Sequence, residues 1–217
     1  SKFGGSIRCV ERNAKVQVEK EGKHVRLCAL DDDGPRKPYM LMSHAHYAKL
    51  TALHGRFGEG PMDERIFCVV TRYEALRGAG SQCAVPGACF EALRTHLVNT
   101  VECFASPFNC RFERYFSAFP LLERSFGSLG SFFEDWETIE EGSFECNPPF
   151  VPEVMAFALT TIETLLGKKG ALSFLVVVPD WGGSQSTAES CRASPFIRAH
   201  VTILASDHVF VDGAQHR

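Results

Sequence analysis

The 217 residues contain no CxxC pair, no HExxH segment, no GxxxxGK loop and no GxSxG elbow. Zinc knuckles, metalloprotease helices, phosphate-cradling loops and serine-hydrolase elbows each depend on one of those spacings, so these four readings have no support. Cys103 and Cys110 stand too far apart for a zinc knuckle, and no second pair completes one, so no metal site is expected. Long apolar runs are also missing. Stretches such as Phe174 to Pro179 fall far short of the roughly 20 residues that a membrane-crossing helix needs, and no signal peptide is visible, so no membrane partner is expected. Positive charge is scarce: 23 Lys and Arg face 26 Asp and Glu, leaving a net charge of −3. That balance argues against holding nucleic acid by broad phosphate neutralisation, but it leaves room for a pocket that grips one nucleotide. No internal repeat or low-complexity tract is present.

What is present is the composition of a folded chain, 45% hydrophobic and 23% charged, long enough for one large domain or a domain with a small appendage. Nine cysteines scattered through apolar segments read as reduced, buried thiols of an intracellular protein.

Residues 14–30 alternate on either side of Glu21-Gly22 and predict a hairpin, with a loop at Asp31 to Pro35. Apolar spacing predicts helices over Tyr39–Leu53, carrying His44 and His46, over Glu64–Leu76, and over Gly87–Leu97 behind Pro86. From about residue 100 the pattern becomes strand then helix. Strands are expected at Val101–Ala105, Ser143–Cys146, Leu172–Val178, His200–Ala205 and His208–Val211. Helices are expected at Asn109–Phe119 and Pro152–Leu166, the latter ending at Gly167, with a loop over Ser125–Ser131. This alternation predicts an α/β fold with a mostly parallel sheet, whose ligands gather at the carboxyl ends of the strands. Ala105-Ser106, Asn147 and Asp180-Trp181 all fall on that rim.

Asn147-Pro148-Pro149-Phe150 carries the most chemistry. An amino nitrogen conjugated to a base or an amide is a poor nucleophile. It needs acceptors for its two N–H groups and a flat surface against its π system. The Asn147 side-chain carbonyl and the Pro148 backbone carbonyl supply the acceptors, and Phe150 supplies the surface. The two prolines stiffen the turn and remove competing donors. The reaction implied is an in-line methyl transfer from S-adenosylmethionine, driven mainly by positioning. A rigid turn of purely structural use is the alternative.

Other candidates are weaker by themselves. Phe104 to Asn109 follows the first predicted strand of the parallel sheet but lacks a glycine fingerprint. Glu134 and Asp135 follow Phe132-Phe133; an acid after a second strand often takes a ribose hydroxyl, and a solvated loop acid is the alternative. Trp181, one of two tryptophans, could stack on a base, and Asp207-His208 could reach the same rim.

Several blocks in order resemble the phosphorylated-CTD-interacting factor family, the cap-specific adenosine N(6)-methyltransferases. They are Val101 to Cys110, Phe116 to Pro120, Phe126 to Ser128, Gly142 to Phe150, Leu172 to Phe174 with Pro179 to Trp181, and Gly213 to His216. The likeness covers roughly residues 85–216. It implies a Rossmann-like class I S-adenosylmethionine-dependent methyltransferase sheet over residues 86–217, preceded by a hairpin and helical appendage over residues 1–85, or the two as one continuous unit. It implies S-adenosylmethionine as cofactor, capped RNA as partner, N(6)-methylation of the cap-proximal first adenosine as the reaction, and a nuclear location.

The resemblance makes Asn147, Pro148, Pro149 and Phe150 the catalytic turn. It gives the methyl donor to Phe104, Ala105, Ser106, Pro107, Asn109 and Asp135, and the substrate border to Pro152, Glu153, Trp181, Gly182, Gly183, Ser206, Asp207 and His208, with Ser184 beside them. Pro152 stands where an acidic residue is common in the family. No WW module is read in these residues, so binding to the polymerase tail is not carried over, and protein partners are not indicated. A protein glutamine or amide N-methyltransferase and a catalytically silent cap- or RNA-binding subunit are the two competing functions.

Overall fold

The computed structural model describes residues 15–31, 34–35, 39–76, 83–97, 100–168, 170–183 and 186–212. Ser184 and the Gly213–His216 block lie outside them. The chain opens with an antiparallel sheet. Val16–Glu21 (β1) and His24–Asp31 (β2) form the expected hairpin, with Glu21 paired to His24 and Gly22 at φ 56° in the turn. Gly34–Pro35 (β3) and Met40–Ser43 (β4) both pair with β2.

The helix expected from Tyr39 starts later. Met40 and Met42 are buried while Leu41 is exposed, a period of two, and they sit opposite Leu27 and Val25. Ser43 ends that strand and caps the helix His44–Phe57 (α1), its hydroxyl accepting the His46 N–H at 3.2 Å. Met62–Leu76 (α2) follows, then Cys83–Ala84 (β5) and Gly87–His96 (α3), these two helices close to expectation.

The second sheet is wholly parallel. Its strands are Thr100–Ala105 (β6), Tyr115–Ser117 (β7), Gly142–Cys146 (β8) and Leu172–Val176 (β9), in the spatial order β7-β6-β8-β9. Pro120–Glu123 (α4), Pro152–Lys168 (α5) and Thr187–Ala193 (α6) complete the helices, and Val211–Asp212 (β10) pairs antiparallel with β5. α5 passes through Gly167 rather than stopping at it. The architecture is α/β, as expected.

Two expected elements do not form here. Asn109–Phe119 is not a helix. The buried carboxylate of Glu102, on β6, accepts the Arg111 and Phe112 N–H groups at 2.7 and 2.8 Å, and Tyr115 to Ser117 join the sheet instead. The apolar pair Phe132-Phe133 lies in a turn, with both rings packed on Phe104 at centroid distances of 5.4 and 5.3 Å. His200–Ala205 forms no strand. Val201, Ile203 and Leu204 have the right side chains, but they stay 84%, 59% and 65% exposed, without a pairing strand. Of the last expected strand only Val211 is paired.

One core joins the two sheets. Val25, Leu27, Met42, Leu50 and Val70 from the N-terminal elements pack with Phe108, Cys110, Tyr115 and Phe126. A second core lies between the parallel sheet and α5, built on Cys103, Phe144, Cys146, Ile162 and Leu165.

Candidate active site

The order β7-β6-β8-β9 means that the chain moves outward from β6 to β7, then crosses back to place β8 on the other side of β6. Between β6 and β8 the connections diverge, and a crevice opens at the carboxyl ends of such strands. Ala105-Ser106 leaves β6 there and Cys146-Asn147 leaves β8 there. Topology therefore brings the donor-loop candidate and the catalytic-turn candidate to one crevice.

The loop after β6 is held from several directions. Asn109 Oδ1 accepts the Ser106 N–H at 2.8 Å and the Ser106 hydroxyl at 3.0 Å, and the Cys110 N–H closes on the Ser106 carbonyl at 2.9 Å. Lys49 of α1 donates from Nζ to the Phe108 and Cys110 carbonyls, both at 2.8 Å. Tyr73 of α2 hydrogen-bonds Ser106 and donates to Glu123 Oε1 at 2.6 Å. Glu123 is fully buried and also accepts the Phe119 N–H at 3.0 Å. Burial pushes the Glu123 carboxyl up to about 6 and the Tyr73 phenol well above its usual range. The N-terminal helices thus buttress the rim. Lys49, Tyr73 and Glu123 were not singled out from the sequence, because no local pattern marks side chains whose partners lie 50 to 61 positions away, as for Lys49 with Phe108 and Cys110 and for Tyr73 with Glu123.

The Asn147 turn differs in one respect. Its Nδ2 donates to the Cys83 carbonyl at 3.4 Å, while its Oδ1 is buried and has no hydrogen-bond partner among the described residues. An unpaired buried acceptor costs about 1–3 kcal/mol, so a fold keeps one only where something else repays it. Pro148 is buried, Pro149 exposed, and the Phe150 ring is 37% exposed on the rim. Trp181 stands edge-on to Phe150 at 6.5 Å, Phe210 edge-on at 5.6 Å, and His208 edge-on to Phe210 at 5.6 Å. Two of the substrate-border candidates, Trp181 and His208, therefore gather at Phe150. Phe210 belongs with them and was missed, although it lies two positions beyond His208.

The remaining candidates are placed as follows. Phe104 is committed to the Phe132–Phe133 cluster. Pro107 is buried in the loop. Pro152 and Glu153 are exposed in the first turn of α5. Gly182 and Gly183 have φ of 74° and 96° behind Asp180, which is ion-paired to Arg192. Ser206 and Asp207 bond to each other at 2.8 Å. Asp135 follows a turn, not a strand, and its carboxylate accepts the Ser131 N–H at 2.8 Å. A Cβ on Gly130 (φ 141°) would sit 2.1 Å from that carboxylate, so Asp135 is tied into its own turn beside β7. A cavity of about 400 Å³, lined by Glu141, Ser143, Ser173 and Arg198, opens at the opposite, amino end of β8 and β9 and holds none of these candidates. Among the described residues no helix is long and apolar enough to cross a membrane, and no three His, Cys, Asp or Glu side chains are grouped as metal ligands.

Residues 55–213 match the family described as "Phosphorylated CTD interacting factor 1 WW domain". The chain belongs to this family. The match begins inside α1, so α2 and its Tyr73 are part of the family's shared region, which extends further forward than residue 85. Although the description carries the words WW domain, the described residues of this stretch form the parallel sheet and its helices. Over 160 residues this family member is 37% identical to a human protein named mRNA (2'-O-methyladenosine-N(6)-)-methyltransferase, and 36% identical to a mouse protein of the same name. The alignment covers 70% of this chain and 22% of each relative, so the chain spans about a fifth of the length of these relatives.

Proposed function

We propose that the chain is the catalytic unit of an S-adenosylmethionine-dependent RNA adenosine N(6)-methyltransferase, with a Rossmann-like sheet, acting in the nucleus on the first adenosine of capped mRNA. The observation that carries the reading is the buried, unpartnered Asn147 Oδ1 at the crevice between β6 and β8. The names of the human and mouse relatives support the choice of substrate.

The residues fit the donor. Pro148 and Pro149 present no N–H, and the Asn147 side-chain N–H is turned to the Cys83 carbonyl, so the middle of the turn offers carbonyl acceptors toward a cationic sulfur. Ala105, Ser106, Pro107 and Asn109 form the facing wall, stiffened by the Ser106–Asn109 bonds. When bound, S-adenosylmethionine supplies an electrophilic methyl group. The chain's task is to hold the adenosine amine in line with it. Asn147 Oδ1 takes one N–H and the Pro148 carbonyl the other, which draws the nitrogen lone pair out of conjugation. Both acceptors gain strength as positive charge develops on nitrogen, so they favour the transition state over the bound substrate. Phe150 carries the base on its exposed face, with the nucleotide turned out of its stack. The positively charged cap guanine lies against Trp181 in this reading, supported by the position of Trp181 edge-on to Phe150.

Mass spectrometry of the first nucleotide, after incubation of capped adenosine-initiated RNA with methyl donor and the chain, tests the reading. N(6)-methyladenosine supports it. Methyl label in polypeptide would favour the amide N-methyltransferase, and donor-free cap binding the silent subunit.

A further inference from the structure

We infer that Phe210 is a positioning residue for the Asn147–Phe150 turn, held over it by the pairing of β5 with β10. The inference rests on the function proposed for that turn.

The turn is gripped at both ends by one small ladder. At its start, the Asn147 amide nitrogen donates to the Cys83 carbonyl. That bond sets the direction of the amide: with Nδ2 turned to Cys83, Oδ1 must face away from it. Cys83 is paired with Asp212, and Ala84 with Val211. At the other end of the turn, Phe150 would have free rotation on an exposed rim if nothing flanked it. Phe210 lies edge-on to it at 5.6 Å and 83°, opposing any swing of the ring, and Trp181 supplies a second edge at 6.5 Å and 86°. Phe210 is the residue immediately before β10. The strand that bears Phe210 on Phe150 is therefore the strand that holds Cys83 against Asn147.

This ladder is short. β5 and β10 contribute two residues each, and Val209 and Val211 are 67% and 39% exposed. Elements with few buried contacts open at low cost. On the β5 side Ala84 is anchored in a small cluster with Phe90 and Phe112, so the loosening falls on the β10 side, and removing the Phe210 ring should loosen the turn while the cores of the two larger sheets, built on other residues, stay folded. Phe210 has this effect through Phe150 and does not itself hold the reacting atoms.

Phe210→Ala, Phe210→Leu and Phe210→Tyr test the assignment. In phenylalanine-labelled protein, the Phe150 ring signals, assigned with Phe150→Leu, should shift in the Ala and Leu variants and return toward their original positions in the Tyr variant. In the same proteins kcat on capped adenosine RNA should fall about 10- to 100-fold for Ala and Leu, with S-adenosylhomocysteine affinity within about twofold, and recover with Tyr. An unchanged kcat in folded Leu protein, or unmoved Phe150 signals, overturns the inference. If the unaltered chain transfers no methyl, the proposed function falls, and the Phe150 signals alone then decide whether Phe210 positions the ring. Should Phe210→Ala fail to fold, the Leu and Tyr pair carries the comparison.

Discussion

Glu102 and Glu145 stand directly opposite one another on the adjacent parallel strands β6 and β8, each only 2% exposed. Glu102 has two backbone N–H donors, whereas Glu145 Oε1 has no hydrogen-bond partner among the described residues. Burial, with the Glu102 charge adding to it, pushes the Glu145 carboxyl up to about 8, and burial pushes Glu102 up to about 7. Of the two, Glu145 is held further above the ordinary carboxyl range, and it lacks the backbone N–H donors that favour a charged Glu102.

A carboxyl whose pKa is raised by folding contributes its full stability below its unfolded pKa, near 4.5, and loses it as pH rises through the folded value, here about 8. Glu145→Gln keeps the shape without the titration. We expect the melting temperature of the variant to exceed that of the parent by roughly 5–10 °C more at pH 8.5 than at pH 5. A gap that does not change between those pH values would contradict a buried, protonated Glu145.

Lys49→Met retains the apolar stem and removes two bonds to the Phe108 and Cys110 carbonyls. Each charged hydrogen bond contributes about 1.5–3 kcal/mol, so both stability and loop order should decline. Calorimetry should show S-adenosylhomocysteine binding weakened about tenfold. Unchanged affinity would separate the loop from donor binding.

Tyr73→Phe removes the hydroxyl that donates to Glu123 at 2.6 Å. We expect about 1–3 kcal/mol of destabilisation in urea melts. The Glu123 carboxylate would lose a donor that favours its charged form, so its pKa would rise further above about 6. The penalty should therefore be larger at pH 7.5 than at pH 5. An equal penalty at both would show that the hydroxyl does not support a charged Glu123.

Much of this was legible in the sequence where local rules decide. Alternation around Glu21-Gly22 gives the hairpin, and the strand before Asn147 and the proline-started helix after it both form, with ends one or two residues from expectation. The sequence failed where a distant partner decides. Glu102 takes the N–H groups that a helix at Arg111 would have used. Val201 to Leu204 have strand chemistry but no neighbouring strand. Asn147 and Phe150 could be named as catalytic candidates from the motif, but the orphaned Oδ1, the Cys83 contact and Phe210 depend on which segments meet at the rim.

The unpartnered Asn147 Oδ1 is the centre of the account, and Asn147→Ala tests it most directly. Mass spectrometry of the first nucleotide of capped adenosine RNA would be run beside S-adenosylhomocysteine calorimetry on the same protein. The account predicts N(6)-methyladenosine with the unaltered chain, transfer reduced at least about 100-fold in the variant, and donor-product binding retained. Normal methyl transfer by folded Asn147→Ala would contradict it.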